Sequence, residues 1–412
     1  MTDILSSKVG SLLSGFDPWD PAHVDDPIAV YTMMRETEPM HWNTKRGLWF
    51  ATRYDDVALV LRDHENFSSA QYNIDKPHMT ERPVDGERYQ AFKGPTMVTT
   101  EPPEHTRLRK GSAPAFSTRG LKRLKDRVED IADRLLNQVE GNEGMDAIAD
   151  YAYPLPVYAI GELLGVPHED QDEFLALALA DKGSPAHDPN ATKETLERTA
   201  AHGRRLRDFV EDVIEKKRKQ PGEDLISSLL VSQQEDNLTH AEMIDTIHLM
   251  MEAGHITTVN LIGNGLDVLL DRPEDMEWLR NDPDLATSAV QECLRYVGPV
   301  QFTGRTAIKD TVLGGQLIKA GEAVIPLMPA ANRDPLQFAD PEEFRIDRKP
   351  NRHLGVGIGI HVCIGAALAR LETEIAFTKL LSRFPNLRRA GEAEWNTSFE
   401  LRGRTTLPVA FR

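Results

Sequence analysis

Residues 353–365 of this 412-residue chain read HLGVGIGIHVCIG, with four glycines around one of only two cysteines. A thiolate is a strong metal ligand and a good nucleophile, and its chemistry depends on how its charge is held. The glycines ahead of Cys363 permit positive φ, let a flat group approach the backbone, and allow their amides to point at the sulfur. The AALARLETEIAF run predicts a helix directly after the loop, and its positive end would stabilise an anionic sulfur. No partner ligands stand at zinc spacing, which argues against a closed zinc site. Metal ligation, redox chemistry, nucleophilic attack and an inert buried thiol all remain open to Cys363 on these grounds.

A second chemical candidate lies in the middle of a predicted helix. Thr239-His-Ala-Glu242 is a capping box, and no proline follows until Pro273. A helix over 239–270 would be roughly 48 Å long, enough to cross a domain. Its centre reads Glu252-Ala-Gly-His-Ile-Thr-Thr258. Gly254 costs about 1 kcal/mol against alanine in a helix interior. The Thr257 hydroxyl can bond the carbonyl of Ala253 one turn back. Either the glycine serves close packing, or a ligand lies in a groove against the helix backbone.

These candidates need a scaffold, and the pattern predicts a mainly helical one. Helical patterns occupy about 104–270, broken near Pro114, Gly165-Val-Pro167, Gly183-Ser-Pro185 and Pro221-Gly222. Upstream, DPIAVYTMMRET and YDDVALVLRDH read as helices and LWFATRY as a strand. Residues 70–95 look like a long loop. From 299 onward strands and turns dominate, as in TVLGGQLIKAGEAVIPL, and the tail RGRTTLPVAF is extended. Length alone suggests two or three average domains, but no linker divides the chain. The expectation is one large α+β domain, mainly α with a smaller β region, spanning 1–412.

Bulk properties narrow the function. A net charge of -17 argues against nucleic acid as a partner. No apolar run approaches the ~18 residues of a membrane span. Two cysteines, no disulfide framework and no signal peptide place the chain in a reducing cytoplasm.

HLGVGIGIHVCIGAALAR resembles the haem-binding loop of cytochrome P-450, the haem-thiolate monooxygenases. Glu292-Cys-Leu-Arg295 is similar to the family's Glu-x-x-Arg, with Arg305 at the expected distance. EPPEHTRLRK, AGHITT and ANRDPLQFADPEEF resemble the helix before the haem, the oxygen-groove motif and the meander before the loop. LPVYAIGELLGVP and RGRTTLPVAF look typical of soluble bacterial members, so the resemblance runs from about residue 16 to 411.

The resemblance implies a P-450 fold around a buried haem b (iron protoporphyrin IX), with Cys363 as the axial thiolate. It places His105, Arg109, Arg305 and His361 on the two haem propionates, and Ala253 and Gly365 against the cofactor. Glu292 and Arg295 become a structural ion pair supporting the loop, and Cys293 an inert core residue. Gly254, Ile256 and Thr257 fall where the family handles oxygen and protons. Substrate contacts would come from Met97, Val98, Thr99, Met250, Ala253, Thr257, Val300, Phe302, Thr303 and Phe399, an apolar set with a few polar groups.

Two positions depart from the family pattern. Val356 stands seven residues before the cysteine, where Phe is usual, leaving the sulfur less shielded. Ile256 stands where the family carries an acid that, with Thr257, relays protons. His255 points away from Ile256 on a helix, which leaves three readings: a relay through the substrate or through water in the groove at Gly254, poor coupling with release of peroxide, or direct use of peroxide or a different oxidation.

The implied activity is insertion of one oxygen atom of O2 into a small to medium apolar molecule, by hydroxylation or dealkylation. Electrons would come from NAD(P)H through a reductase and a ferredoxin or flavodoxin. RLRKGSAPAFSTRGLKRLKDR carries eight Lys and Arg in an acidic chain and could dock such a partner, or be an ordinary solvated helix. A peroxide-driven oxygenase, motivated by Ile256, and a non-catalytic haem sensor are the rival readings. Monomer is the family default.

Overall fold

The computed structural model describes residues 13, 16–19, 27–71, 83–84, 87–88, 94–180, 192–235 and 237–412. Two compact units emerge, each assembled from separate stretches of chain. One comprises Met1–Thr80, Gln291–Cys363 and Trp395–Arg402, and the other Glu81–Val290, Ile364–Glu394 and Gly403–Arg412.

The first unit is built on a five-stranded sheet in the order Met40–Asn43, Leu48–Ala51, Ala323–Pro326, Arg305–Ala307, Phe67–Ser68. Ala323–Pro326 is buried at every position and runs parallel to Leu48–Ala51, as a continuous apolar strand should. Side chains alternate across it. Ala323 and Ile325 join a cluster with Phe16, Tyr31 and Phe50, while Val324 joins one with Val57, Val60 and Leu61. The helices Ile28–Thr37 and Tyr54–Arg62 stand where the sequence predicts them. In the hairpin Thr311–Leu313 with Gln316–Ile318, Gly314 and Gly315 both take positive φ, at 53° and 81°, as a two-residue hairpin turn requires.

The second unit is helical. Glu104–Ser112, Thr118–Val139, Pro154–Leu164, Gln171–Ala180, Lys193–Lys219 and Leu225–Gln234 respect the breaks at Pro114, Gly165-Val-Pro167 and Pro221-Gly222. Gly165 closes Pro154–Leu164 in the left-handed region at φ 85°. The break at Gly183-Ser-Pro185 and most of the 70–95 loop lie outside the described residues; within that loop, Pro83–Val84 pairs with Glu87–Arg88. At the centre runs the long helix, His240–Leu270. Its capping box is present: the Thr239 hydroxyl accepts the Glu242 amide at 3.2 Å, and the Glu242 carboxylate accepts the Thr239 amide at 2.8 Å. Most of its residues are buried, which marks a central helix rather than a surface one. A second core helix, Ala366–Arg383, follows the cysteine loop. Among the described residues, no helix is long and apolar enough to cross a membrane.

Candidate active site

The cysteine loop in the first unit is a series of tight turns. The Cys363 amide donates to the Val356 carbonyl at 3.0 Å, Gly357 to Leu354 at 2.8 Å, and Val362 to Gly359 at 3.2 Å. Gly357 and Gly359 have φ of 68° and 78°. The glycines divide their roles. A Cβ at Gly355 would lie 2.4 Å from the Leu294 carbonyl oxygen, and one at Gly359 would lie 3.0 Å from Cα of Arg62, so both serve packing of the loop. A Cβ at Gly357 would meet only the His361 carbonyl, at 3.9 Å, so this glycine answers to its backbone conformation. The two cysteines contrast. Cys363 is exposed, whereas Cys293 is fully buried and burial pushes its thiol pKa up, consistent with an inert core residue.

Glu292 and Arg295 form a bidentate pair, at 2.8 and 2.7 Å, with both side chains fully buried. Sequence reasoning found this pair but missed its extent. Arg348 donates to Glu292 at 3.0 Å, as do the Arg345 amide at 2.9 Å and the Asn351 side chain at 3.0 Å. Arg295 also donates to the carbonyls of Asn332, Pro341 and Glu343, at 3.0, 2.7 and 2.8 Å. The Asn332 side chain in turn accepts the Leu354 amide at 2.7 Å. One buried carboxylate therefore organises the whole approach to the cysteine loop. The crowding of Arg and Asn in NRDPLQFADPEEFRIDRKPNR was the available signal.

Arg305 is 2% exposed and donates to the Thr303 hydroxyl at 2.9 Å and to the Gly304 carbonyl at 2.9 Å. Val300 bridges to Leu401. Phe302 and Phe399 stack at 4.9 Å and pack edge-on to Trp19, at 6.1 and 5.1 Å. That packing places both in the buried core of this unit.

In the second unit the long helix opens at one place. Ala253 is exposed, and Glu252, Gly254, Ile256 and Thr257 are partly so, within a helix that is buried along most of its length. The Thr257 hydroxyl donates to the Ala253 carbonyl at 3.0 Å, as expected from its spacing. Gly254 has a packing reason: a Cβ there would lie 2.8 Å from Cδ1 of Ile160. His255 turns inward, 3% exposed, its Nδ1 2.5 Å from the Met251 carbonyl and its ring edge-on to Tyr153. Glu252 lies 3.3 Å from His248. Four residues separate it from Ile256, so the two share a helix face, about 40° apart. Met250 is buried at 5% exposure.

His105 and Arg109 lie one turn apart on the helix Glu104–Ser112, the first buried and the second half-buried. Upstream, Met97 is buried, Thr99 half-buried and Val98 exposed, in a turn closed by the Thr96 and Thr99 side chains. Arg119, Lys122, Arg123, Lys125 and Arg127 are exposed on Thr118–Val139, although Arg119 and Arg123 both pair with Glu223. Gly365 is the N-cap residue of Ala366–Arg383, its carbonyl accepting the Ala369 amide at 2.9 Å.

Each unit, taken by itself, carries groups of the kinds that hold a haem. The first unit offers an exposed thiol on a tightly turned loop, the guanidinium of Arg305 and the imidazole of His361; the second offers an accessible strip of helix, the imidazole of His105 and the guanidinium of Arg109. The family model described as Cytochrome P450 matches residues 188–400. Cytochrome P450 CYP107DY1 of Priestia megaterium is 39% identical over 414 residues, covering 95% of this chain and 97% of that one. Among solved structures, P450BioI in complex with acyl carrier protein ligated to hexadec-9Z-enoic acid has a TM-score of 0.85 at 34% identity, covering 95% of this chain and 100% of its own. CYP109E1 from Bacillus megaterium in complex with corticosterone has a TM-score of 0.83 at 33% identity, covering 94% and 98%.

Proposed function

This chain belongs to the cytochrome P450 family and is a haem-thiolate monooxygenase, and we propose that its substrate is a small to medium, largely apolar molecule that it hydroxylates or dealkylates. The observation that carries this reading is Cys363, exposed on its glycine loop while the other cysteine is buried. We read 1–412 as one P450 domain because the chain passes repeatedly between its two units, and we take it to act as a cytoplasmic monomer, the family default.

The haem, once bound, supplies activation of O2, and a thiolate ligand favours cleavage of the O–O bond. The protein's own groups do the rest. Cys363 holds the iron. Arg109 and Arg305 supply positive charge, and His105 and His361 supply ring N–H donors, for two carboxylates that would otherwise be costly to bury. Thr257 keeps its hydroxyl lone pairs available while its proton points at the Ala253 carbonyl. Ile256 carries no proton, so delivery falls to water and to Glu252, the carboxylate one turn upstream on the same face.

Met97 and Met250 support an apolar pocket, and they suit adaptable packing against a ligand. The steroid and acyl-chain complexes of similar proteins point the same way. Electrons would come from NAD(P)H through a reductase and a ferredoxin or flavodoxin. The exposed cations Lys110, Lys122 and Arg127 fit an acidic carrier, whereas Arg119 and Arg123 pair with Glu223 and Lys125 with Glu129. Ile256 also supports a second reading, direct use of peroxide, since that route does not need protons delivered to bound O2 in the same way.

The test is a titration of the ferric, haem-loaded protein with steroids, fatty acids and small aromatics, followed by product formed per NADH consumed. A spin-state shift with coupled product supports the monooxygenase reading. Turnover with peroxide alone supports the second.

A further inference from the structure

Asp245 is fully buried on the long helix and splits its two oxygens between two other segments of the second unit. One oxygen accepts the backbone amide of Gly94 at 2.7 Å, and the other accepts Arg207 of the helix Lys193–Lys219 at 2.9 Å. Hydrogen bonds to a buried carboxylate are among the strongest a protein makes, and removing one partner strands the other. Gly94 approaches closely: a Cβ there would stand 3.2 Å from the same carboxylate oxygen.

The stretch that Gly94 leads into is stiffened from within. The Thr96 amide donates to the Thr99 hydroxyl at 2.9 Å, the Thr99 amide to the Thr96 carbonyl at 3.0 Å, and the Thr100 hydroxyl to the same carbonyl at 2.8 Å. Such a turn moves as a body, and its position depends on what anchors its ends. Met97 is buried at 4% exposure while Val98 is 44% exposed, so the turn presents different side chains to different surroundings. Asp245 itself lies eleven residues before Ile256, about 16 Å along the helix, too far to touch the reacting groups.

We propose that Asp245 is a positioning residue, which seats the Gly94–Thr100 turn for ligand binding by fastening it to the long helix and to Lys193–Lys219. The proposal rests on the P450 reading, in which Met97, Val98 and Thr99 face the substrate.

Hydrogen exchange and ligand release test it on the haem-loaded protein. Asp245→Ala removes both bonds, Asp245→Asn keeps an oxygen for Gly94 but loses the ion pair, and Arg207→Gln removes only the guanidinium. The expected result is amide exchange across Gly94–Thr100 rising about tenfold or more in Asp245→Ala and less in the other two. Release of 4-phenylimidazole from the ferric haem, followed by stopped-flow absorbance, should quicken in the same order. Unchanged exchange overturns the proposal, and so does faster exchange with wild-type release, which is the mark of a merely structural ion pair. Should Asp245→Ala fail to fold, the other two variants carry the same comparison. Wild-type protein showing no azole-induced haem shift marks failure of the P450 reading, whereas wild-type release rates in haem-loaded variants mark failure of this one.

Discussion

A methyl group at Gly254 would lie 2.8 Å from Cδ1 of Ile160 and 3.0 Å from its Cγ1. The helix Pro154–Leu164 thus packs directly on the backbone of the long helix beside its accessible strip. Gly254→Ala gains about 1 kcal/mol of helix propensity but overpacks the contact by about 1–3 kcal/mol. The expected outcome is a Tm equal to or a few degrees below wild type. Combining it with Ile160→Val should raise the Tm above the single variant. An Ile160→Val change that makes Gly254→Ala worse would contradict the packing role.

Glu292 should be the most sensitive buried residue of the first unit. Its carboxylate holds Arg295 and Arg348 with all three side chains almost wholly buried. Glu292→Gln leaves two buried guanidinium groups short of a counter-charge, a change of about 3–5 kcal/mol. Urea unfolding of Glu292→Gln and Arg348→Lys checks this. A loss near that of an exposed ion pair, below about 1 kcal/mol, would show that the network is not what holds the loop.

The isoleucine at 256 makes a directional prediction about coupling. Glu252→Gln should lower product formed per NADH and raise peroxide release by about tenfold, less than the ~10²–10⁴-fold usual for losing a sole acid–base group because water shares the delivery. Ile256→Glu should restore coupling in that background and change the wild type less. If Glu252→Gln couples as well as wild type, protons arrive by another route.

Acid titration reads out a different carboxylate. Arg107, bound to Glu242 at 2.5 and 3.1 Å, together with the Thr239 amide and hydroxyl, holds the Glu242 pKa at about 2, below its ordinary 4.5. A depressed pKa means the unfolded chain binds the proton more readily, so this contribution is present above the ordinary value and disappears as pH falls toward 2. With Arg107 a third exposed, it amounts to about 1–3 kcal/mol. The stability gap between wild type and Glu242→Gln should therefore narrow from about pH 5 to pH 3. A constant gap would contradict it.

Much of this was legible in the chain. Thr239 and Glu242 announce the long helix because a capping box is local chemistry, and Gly314-Gly315 announces a hairpin because only positive φ fits there. Cys363 stands out because thiols are rare here and its glycines are spaced for turns. Pairings distant in sequence were not legible. Arg348 with Glu292, and Arg207 and Gly94 with Asp245, meet only through the fold, and nothing local distinguishes those cations from surface ones. Phe302 and Phe399 show the opposite limit: residue type alone does not separate a core aromatic from a ligand contact, and their contacts with Trp19 are visible only in the fold.

The most direct test is the haem spectrum of wild type, Cys293→Ser and Cys363→Ser. The account predicts that wild type and Cys293→Ser bind stoichiometric haem with the ferric electron paramagnetic resonance signature of thiolate ligation. Cys363→Ser should lose that signature and, with it, turnover. A Cys363→Ser protein that keeps thiolate-ligated haem would contradict the assignment of Cys363 as the ligand.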